Sequence, residues 1–231
     1  MLFEGNYKAL VIGASGAIGA AFTSAFEADL KCTGVERISR SHSPGFDLLD
    51  VDSIARAARE CQSRGPYQVI VDATGALTID GVGPEKSLSM LQPENLMQSF
   101  NLNAIGPALV LKHFSPLLAR GPCLYAKVSA RVGSITDNRK GGWYGYRASK
   151  AALNMLLQTA AIELQRKNPH VRVVALQPGT VRSALSSPFT NGSSDLLEPA
   201  QAVAGMLAAL EHLQAKTGAH FVDHRGQEIP W

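Results

Sequence analysis

Short apolar runs that alternate with longer amphipathic stretches are the feature that most narrows what this 231-residue chain can fold into. Residues 7–12 read as a buried strand, and 31–38, 68–73, 123–129, 171–177 and 219–223 as further strands, too short for the helices between them. Between them, 17–29, 51–64, 94–118, 146–167 and 199–216 read as helices. Val51, Ile54, Ala58 and Cys61 illustrate the spacing, near 3.6, that one buried helical face requires. Strands that are apolar along their whole length and alternate with helices imply a parallel sheet covered on both faces. The expected fold class is therefore α/β, a doubly wound parallel sheet with helices on both faces.

A chain of this length suits one domain spanning 1–231. No repeat, linker or low-complexity tract divides it. The irregular stretches 74–93, 133–144 and 180–198 all follow strands, and ligands of open α/β sheets bind beyond the carboxyl ends of strands. These loops are the expected substrate region, with Trp143, Tyr144 and Phe189 as candidate pocket walls. No apolar run reaches the ~18 residues of a membrane helix. The glycines after residue 12 make the N-terminal stretch a strand-turn-helix rather than a signal peptide. A net charge of +3 with no basic stripe gives no nucleic-acid footprint. Cys32, Cys61 and Cys123 are odd in number and far apart, which fits a reducing, cytoplasmic setting and neither a disulfide framework nor a zinc site. The six histidines show no ligand spacing, so no metal is expected.

Two clusters carry chemistry. Gly13, Ala14, Ser15, Gly16, Ala17, Ile18 and Gly19 join the first strand to the first helix. Glycines there allow a tight turn and let a diphosphate approach the backbone at a helix N-terminus, the Rossmann-type arrangement. The second strand ends at Ser39, Arg40 and Ser41. Arginine suits the 2′-phosphate of NADP, where an acidic residue would suit the ribose hydroxyl of NAD, so NADP(H) is favoured over NAD(H). Were the strand to end earlier, Glu36 would take the ribose and reverse that preference.

The second cluster is Tyr146 and Lys150, one helical turn apart and hence on one face. A phenol ionises near pH ~10. A neighbouring ammonium favours the phenolate and makes Tyr146 a workable general acid or base.

With these motifs in place, the chain resembles the short-chain dehydrogenase/reductase family along nearly all its length, and most resembles its carbonyl-reductase branch of sniffer-like and C-factor-like proteins. The run from Trp143 to Lys150 and the ending Glu228-Ile229-Pro230-Trp231 carry that likeness. The resemblance implies a sheet of about seven strands and a homodimer or homotetramer. It implies that Asp47 and Leu48 contact adenine and that Ala73, Thr74 and Gly75 line the cofactor. Asn103 would support a water and the catalytic lysine, and Tyr146 and Lys150 would be the catalytic pair. Pro178, Gly179, Thr180 and Val181 would close over the nicotinamide. Ile12 stands where the family has Thr, and Ala17 where it has its middle glycine. The serine that orients the substrate carbonyl aligns with Ala130. Ser129 is the expected replacement, with Ser134 as the alternative.

The resulting expectation is an NADPH-dependent oxidoreductase that reduces a small-molecule carbonyl to an alcohol. Tyr146 gives the proton, Lys150 lowers its pKa, and Ser129 and Asn103 complete the catalytic set. The alternative is an NADP-binding signalling protein with little turnover.

Overall fold

The computed structural model describes residues 2–187 and 196–231. Strands β1 (Tyr7–Ile12), β2 (Cys32–Ile38), β3 (Val69–Asp72), β4 (Cys123–Val128), β5 (Val171–Gln177) and β8 (His220–Asp223) form one parallel sheet in the order β2-β1-β3-β4-β5-β8. Two short strands, β6 (Thr180–Val181) and β7 (Leu196–Leu197), pair separately. Helices α1 (Ala17–Ala28) and α6 (Pro199–Glu211) cover one face of the sheet. Helices α2 (Val51–Gln62), α4 (Gly106–Phe114) and α5 (Tyr144–Lys167) cover the other. The helix α3 (Pro93–Phe100) precedes α4.

Side chains alternate across the sheet as a period of two demands. Leu10, Ile12, Ile70 and Tyr125 pack toward α2, α4 and α5, and Ala9, Val11, Val71 and Ala126 pack toward α1 and α6. Both faces are apolar, which is why these strands read as unbroken hydrophobic runs.

Among the described residues the main sheet has six strands, against the expected about seven. Residues 39–50, between β2 and α2, are too few for a crossover helix followed by another parallel strand, which needs a dozen or more residues for the connection alone. β2 is therefore an edge strand. Its Cys32, expected to be buried, is half-buried in consequence.

The long helix expected over 94–118 is broken. A π-helical turn spans Asn101–Ile105, and the Gly106 amide donates to the Asn101 carbonyl, five residues back. Pro107 explains it. Proline has no amide hydrogen, and its ring clashes with the carbonyl four residues earlier, so the helix widens by one residue. The helix expected from Tyr146 instead begins at Tyr144, which places Tyr146 inside the first turn. Among the described residues, no helix is long and apolar enough to cross a membrane.

Candidate active site

The site forms beyond the carboxyl ends of β1, β3 and β4. At β1 the glycine turn has little room to spare. Gly13 has φ +82°, and a Cβ there would stand 3.0 Å from the Ala73 carbonyl carbon. A Cβ on Gly19 would stand 2.1 Å from the Gly13 oxygen. Gly16 caps α1 without a side-chain bond, and no acidic residue occupies the first turn formed by Ala17, Ile18 and Gly19. Ser15 is exposed at the tip of the turn. This bare, close backbone with its first-turn amides fits a diphosphate.

The Gly13 and Ala14 amides both donate to the Ile38 carbonyl, at 2.7 and 3.1 Å, so the turn lies beside the end of β2. The residues there divide cleanly. Ser39 is buried and bonded to Ser41 (3.0 Å) and His42 Nδ1 (2.7 Å), whereas Arg40 is exposed. Glu36 lies within β2, paired with Arg64, and β2 runs through Ile38. It is not at the strand end. Asp47 and Leu48 lie on the same side of the sheet as the α4 start. The Asp47 carboxylate accepts from the Leu49 amide (2.9 Å), and the Leu48 backbone presses against Gly106 so closely that a Cβ there would stand 2.9 Å from the Leu48 oxygen.

Around β3 and β4 the structure brings Gly75, Asn103, Lys150 and Tyr146 together. Asn103, fully buried in the π turn, holds the Ala76 backbone through two 2.9 Å bonds, one accepted and one donated. Gly75 (φ +142°) passes so close that a Cβ would stand 3.1 Å from Asn103 Oδ1 and 3.3 Å from Lys150 Nζ. The Lys150 ammonium, 3% exposed, lies 5.6 Å from the centroid of the Tyr146 ring and 3.5 Å from the Val128 carbonyl.

Burial moves the two groups in opposite directions. It raises the Tyr146 phenol to about 12. It lowers the Lys150 amine to about 7, with Lys127 pushing the same way and Asp72 opposing. The sequence-based expectation was a phenol made more acidic by its lysine. Here desolvation dominates, and it keeps Tyr146 protonated, the form that donates a proton.

The entry to α5 is built around Tyr146. Gly141, Gly142 and Trp143 are all left-handed (φ 62°, 64° and 54°). The Glu85 carboxylate accepts from the Gly145 amide at 2.9 Å, and the Trp143 ring stands edge-on to Tyr146 with centroids 6.1 Å apart. Arg147 donates to the carbonyls of Gly141 (3.1 and 3.2 Å), Gly142 (2.9 Å) and Val132 (3.3 Å), which ties down the loop of 133–144. Motif reading missed Glu85 and Arg147 because their partners are backbone groups, which carry no side-chain signature.

The serine position departs from the expectation. Ser129 is buried, and its hydroxyl donates to Asn154 Oδ1 of α5 at 2.7 Å. Ser134 accepts from the Asp137 amide at 2.9 Å. Both hydroxyls are engaged in local structure. The reason is the strand period: Ser129 follows Tyr125 and Lys127 at two-residue intervals and faces α5.

The β5 end is joined to β4 and β8. Ser129 donates its amide to the Leu176 carbonyl (2.8 Å), Arg131 to Gln177 Oε1 (3.0 Å) and His224 to the Gln177 carbonyl (2.9 Å). Pro178 is buried. Gly179 (φ +81°) fits closely against Leu197 and His224, and Thr180 and Val181 continue as β6. Of the third loop, residues 188–195, with Phe189, lie outside the described residues. Among the described residues no group of three or more His, Cys, Asp or Glu side chains is placed to hold a metal ion.

A family model described as short chain dehydrogenase matches residues 39–193. The 1-hydroxy-2-glutathionyl-2-methyl-3-butene dehydrogenase of Rhodococcus sp. strain AD45 is 30% identical over 205 residues, which cover 88% of this chain and 84% of that enzyme. The C-signal protein of Myxococcus xanthus is 32% identical over 169 residues, 72% of this chain and 94% of that protein. Among solved structures, the NADPH-bound carbonyl reductase from chicken fatty liver superposes with a TM-score of 0.83 at 22% identity, covering 98% of this chain and 95% of that one. At that identity the likeness speaks for the fold.

Proposed function

The chain belongs to the short-chain dehydrogenase/reductase family of NAD(P)-dependent oxidoreductases, and from that premise we propose that it reduces small-molecule carbonyl compounds to alcohols with NADPH. The observation that carries this reading is the convergence of Tyr146, Lys150, Asn103 and Gly75 on one point beside the glycine turn. NADPH, when bound, supplies the hydride.

The rest of the chemistry is the chain's own. Gly13, Ser15, Gly16, Ala17, Ile18 and Gly19 take the diphosphate on backbone amides at the α1 N-terminus. Arg40, an exposed guanidinium, would hold the 2′-phosphate, with the buried Ser39 beneath it supporting the turn. Asp47 and Leu48 would hold the adenine, Ala73, Thr74 and Gly75 the middle of the cofactor, and Pro178, Gly179, Thr180 and Val181 its nicotinamide end. Tyr146, protonated because it is desolvated, gives its phenolic proton to the carbonyl oxygen as charge develops there. General acid catalysis of this kind contributes ~10²–10⁴-fold. Lys150 and Asn103 hold the phenol's surroundings. The loops 74–93 and 133–144, with the described parts of the third loop, 180–187 and 196–198, would border the substrate within one domain spanning 1–231. Ser129 can orient the substrate oxygen only by leaving Asn154, so Tyr146 bears most of that task.

Apolar Ile105 of the π turn and Met155, Leu156 and Ile162 of α5 are exposed. This face supports a homodimer or homotetramer.

The likeness to C-signal, with Ala130 at the serine position, supports a second reading, an NADP-binding signalling protein with little turnover. NADPH consumption across a panel of aldehydes, ketones and diketones separates the two. Oxidation with at least one class of carbonyl supports the reductase. NADPH binding with no oxidation by any of them favours the second reading.

A further inference from the structure

Directly beneath this site lies a buried ion pair with no part in the roles above. Asp72 and Lys127 are register partners on β3 and β4, and their side chains are 0% and 1% exposed. The Lys127 ammonium donates to Asp72 Oδ1 (3.0 Å), to the Thr74 carbonyl (2.6 Å) and to Thr74 Oγ1 (3.1 Å). The Thr74 amide and hydroxyl in turn donate to Asp72 Oδ1, at 2.9 and 2.6 Å. The buried Tyr125 phenol borders the same carboxylate, which together with burial keeps it protonated. Stability alone does not account for such a pair, because well-packed apolar residues in its place are often as stabilising.

Its position points to its use. The five bonds close residues 72–74 into one rigid turn, and the next residue is Gly75. Gly75 separates Asn103 from Lys150 with so little space that even a methyl group would crowd both. Whatever fixes Thr74 therefore fixes the floor on which the Lys150 ammonium rests. The same pair brings charge to that ammonium: Lys127 from β4 opposes its proton and Asp72 from β3 favours it. On its own helix Lys150 faces the Tyr146 phenol, and from the π turn it faces the neutral amide of Asn103.

We propose that Lys127 is a positioning residue of the active site: anchored by Asp72, it locks the Thr74–Gly75 turn against Lys150 and Asn103 and so fixes the surroundings of the Lys150 ammonium. The proposal rests on the role given to Lys150 above. Lys127 touches neither substrate nor cofactor in this scheme and acts through the turn it holds.

The test follows the Lys150 amine itself, by NMR of the full chain labelled with 15N-lysine and assigned with Lys150→Met. In the unaltered chain Lys150 is expected to titrate near neutral pH. Titration at an ordinary lysine value, ~10.4, overturns the proposal. In Lys127→Gln the midpoint is expected to rise, because the repelling charge is gone while Asp72 remains, and in the double variant Asp72→Asn with Lys127→Asn it is expected to rise less, because the two opposing influences leave together. Lys127→Arg should return it toward the starting value. An unmoved midpoint in the neutral variants, with the fold verified by circular dichroism, also overturns it. The NMR readout needs no turnover. A failure of the carbonyl panel would thus remove the reductase reading and leave this result standing, and the reverse holds equally.

Discussion

The ammonium of Lys150 stands 5.6 Å from the centroid of the Tyr146 ring, and packing shields the ammonium fully and the half-buried tyrosine in part. This shielding raises the phenol to about 12 and lowers the amine to about 7. The pair therefore holds a protonated phenol beside an amine that changes charge near neutrality. That arrangement suits reduction, in which the phenol must give up a proton.

Tyr146→Phe removes the donor and leaves the ring packing against Trp143 intact. Carbonyl reduction should fall ~10²–10⁴-fold, while NADPH affinity measured by fluorescence titration stays within about threefold. Undiminished turnover in this variant would exclude Tyr146 as the donor.

The Lys150 amine has two pH consequences. Turnover should decline as pH rises through about 7, where the ammonium is lost. For stability, the folded state holds fewer protons than the unfolded state between about 7 and the ordinary ~10.4. The cost of burying this group is therefore full below pH 7 and relieved as pH rises through that window. Lys150→Met should raise Tm most at or below pH 7, with the gain fading toward pH ~10.4. Melting curves for both proteins across pH 6–10 measure it.

The serine position yields a paired prediction. Ser129→Ala leaves Asn154 without its donor and should cost about 1–3 kcal/mol of stability, with kcat reduced less than about threefold. Ala130→Ser restores a hydroxyl where the family carries one and should raise kcat. A large loss of kcat in Ser129→Ala, without loss of stability, would return the substrate-holding role to Ser129.

Arg40→Ala removes the exposed guanidinium at the end of β2. One charge-assisted hydrogen bond is worth about 1.5–3 kcal/mol, so KM for NADPH should rise roughly ten- to hundredfold. KM for NADH should change little. Equal effects on both cofactors would place the 2′-phosphate elsewhere.

Met155 is 66% exposed on the outward side of α5. Met155→Asp puts a charge in the apolar face proposed to join subunits and should shift the protein toward monomer in analytical ultracentrifugation. An unchanged sedimentation coefficient would move the interface to another face.

Local pattern determined much of this protein. Strand period and helical spacing specified the alternating α/β order, because burial on both sheet faces leaves unbroken apolar runs. The glycines at 13 and 19 and the i, i+4 pair of Tyr146 and Lys150 announced their surroundings, since close backbone approach and a shared helical face follow from covalent geometry alone. Only the tertiary structure decided the rest. The sheet stops at six strands because residues 39–50 are too few to add another, and Pro107 widens the helix so that Asn103 turns inward. Ser129 is committed to Asn154 by the direction in which its strand position faces. The partnership of Asp72 and Lys127 exists because β3 and β4 pair in one register, a contact between residues 55 apart in the chain. The charge states of Tyr146 and Lys150 were likewise beyond local reading, because desolvation depends on everything packed around a group and outweighs the influence of its neighbour in sequence.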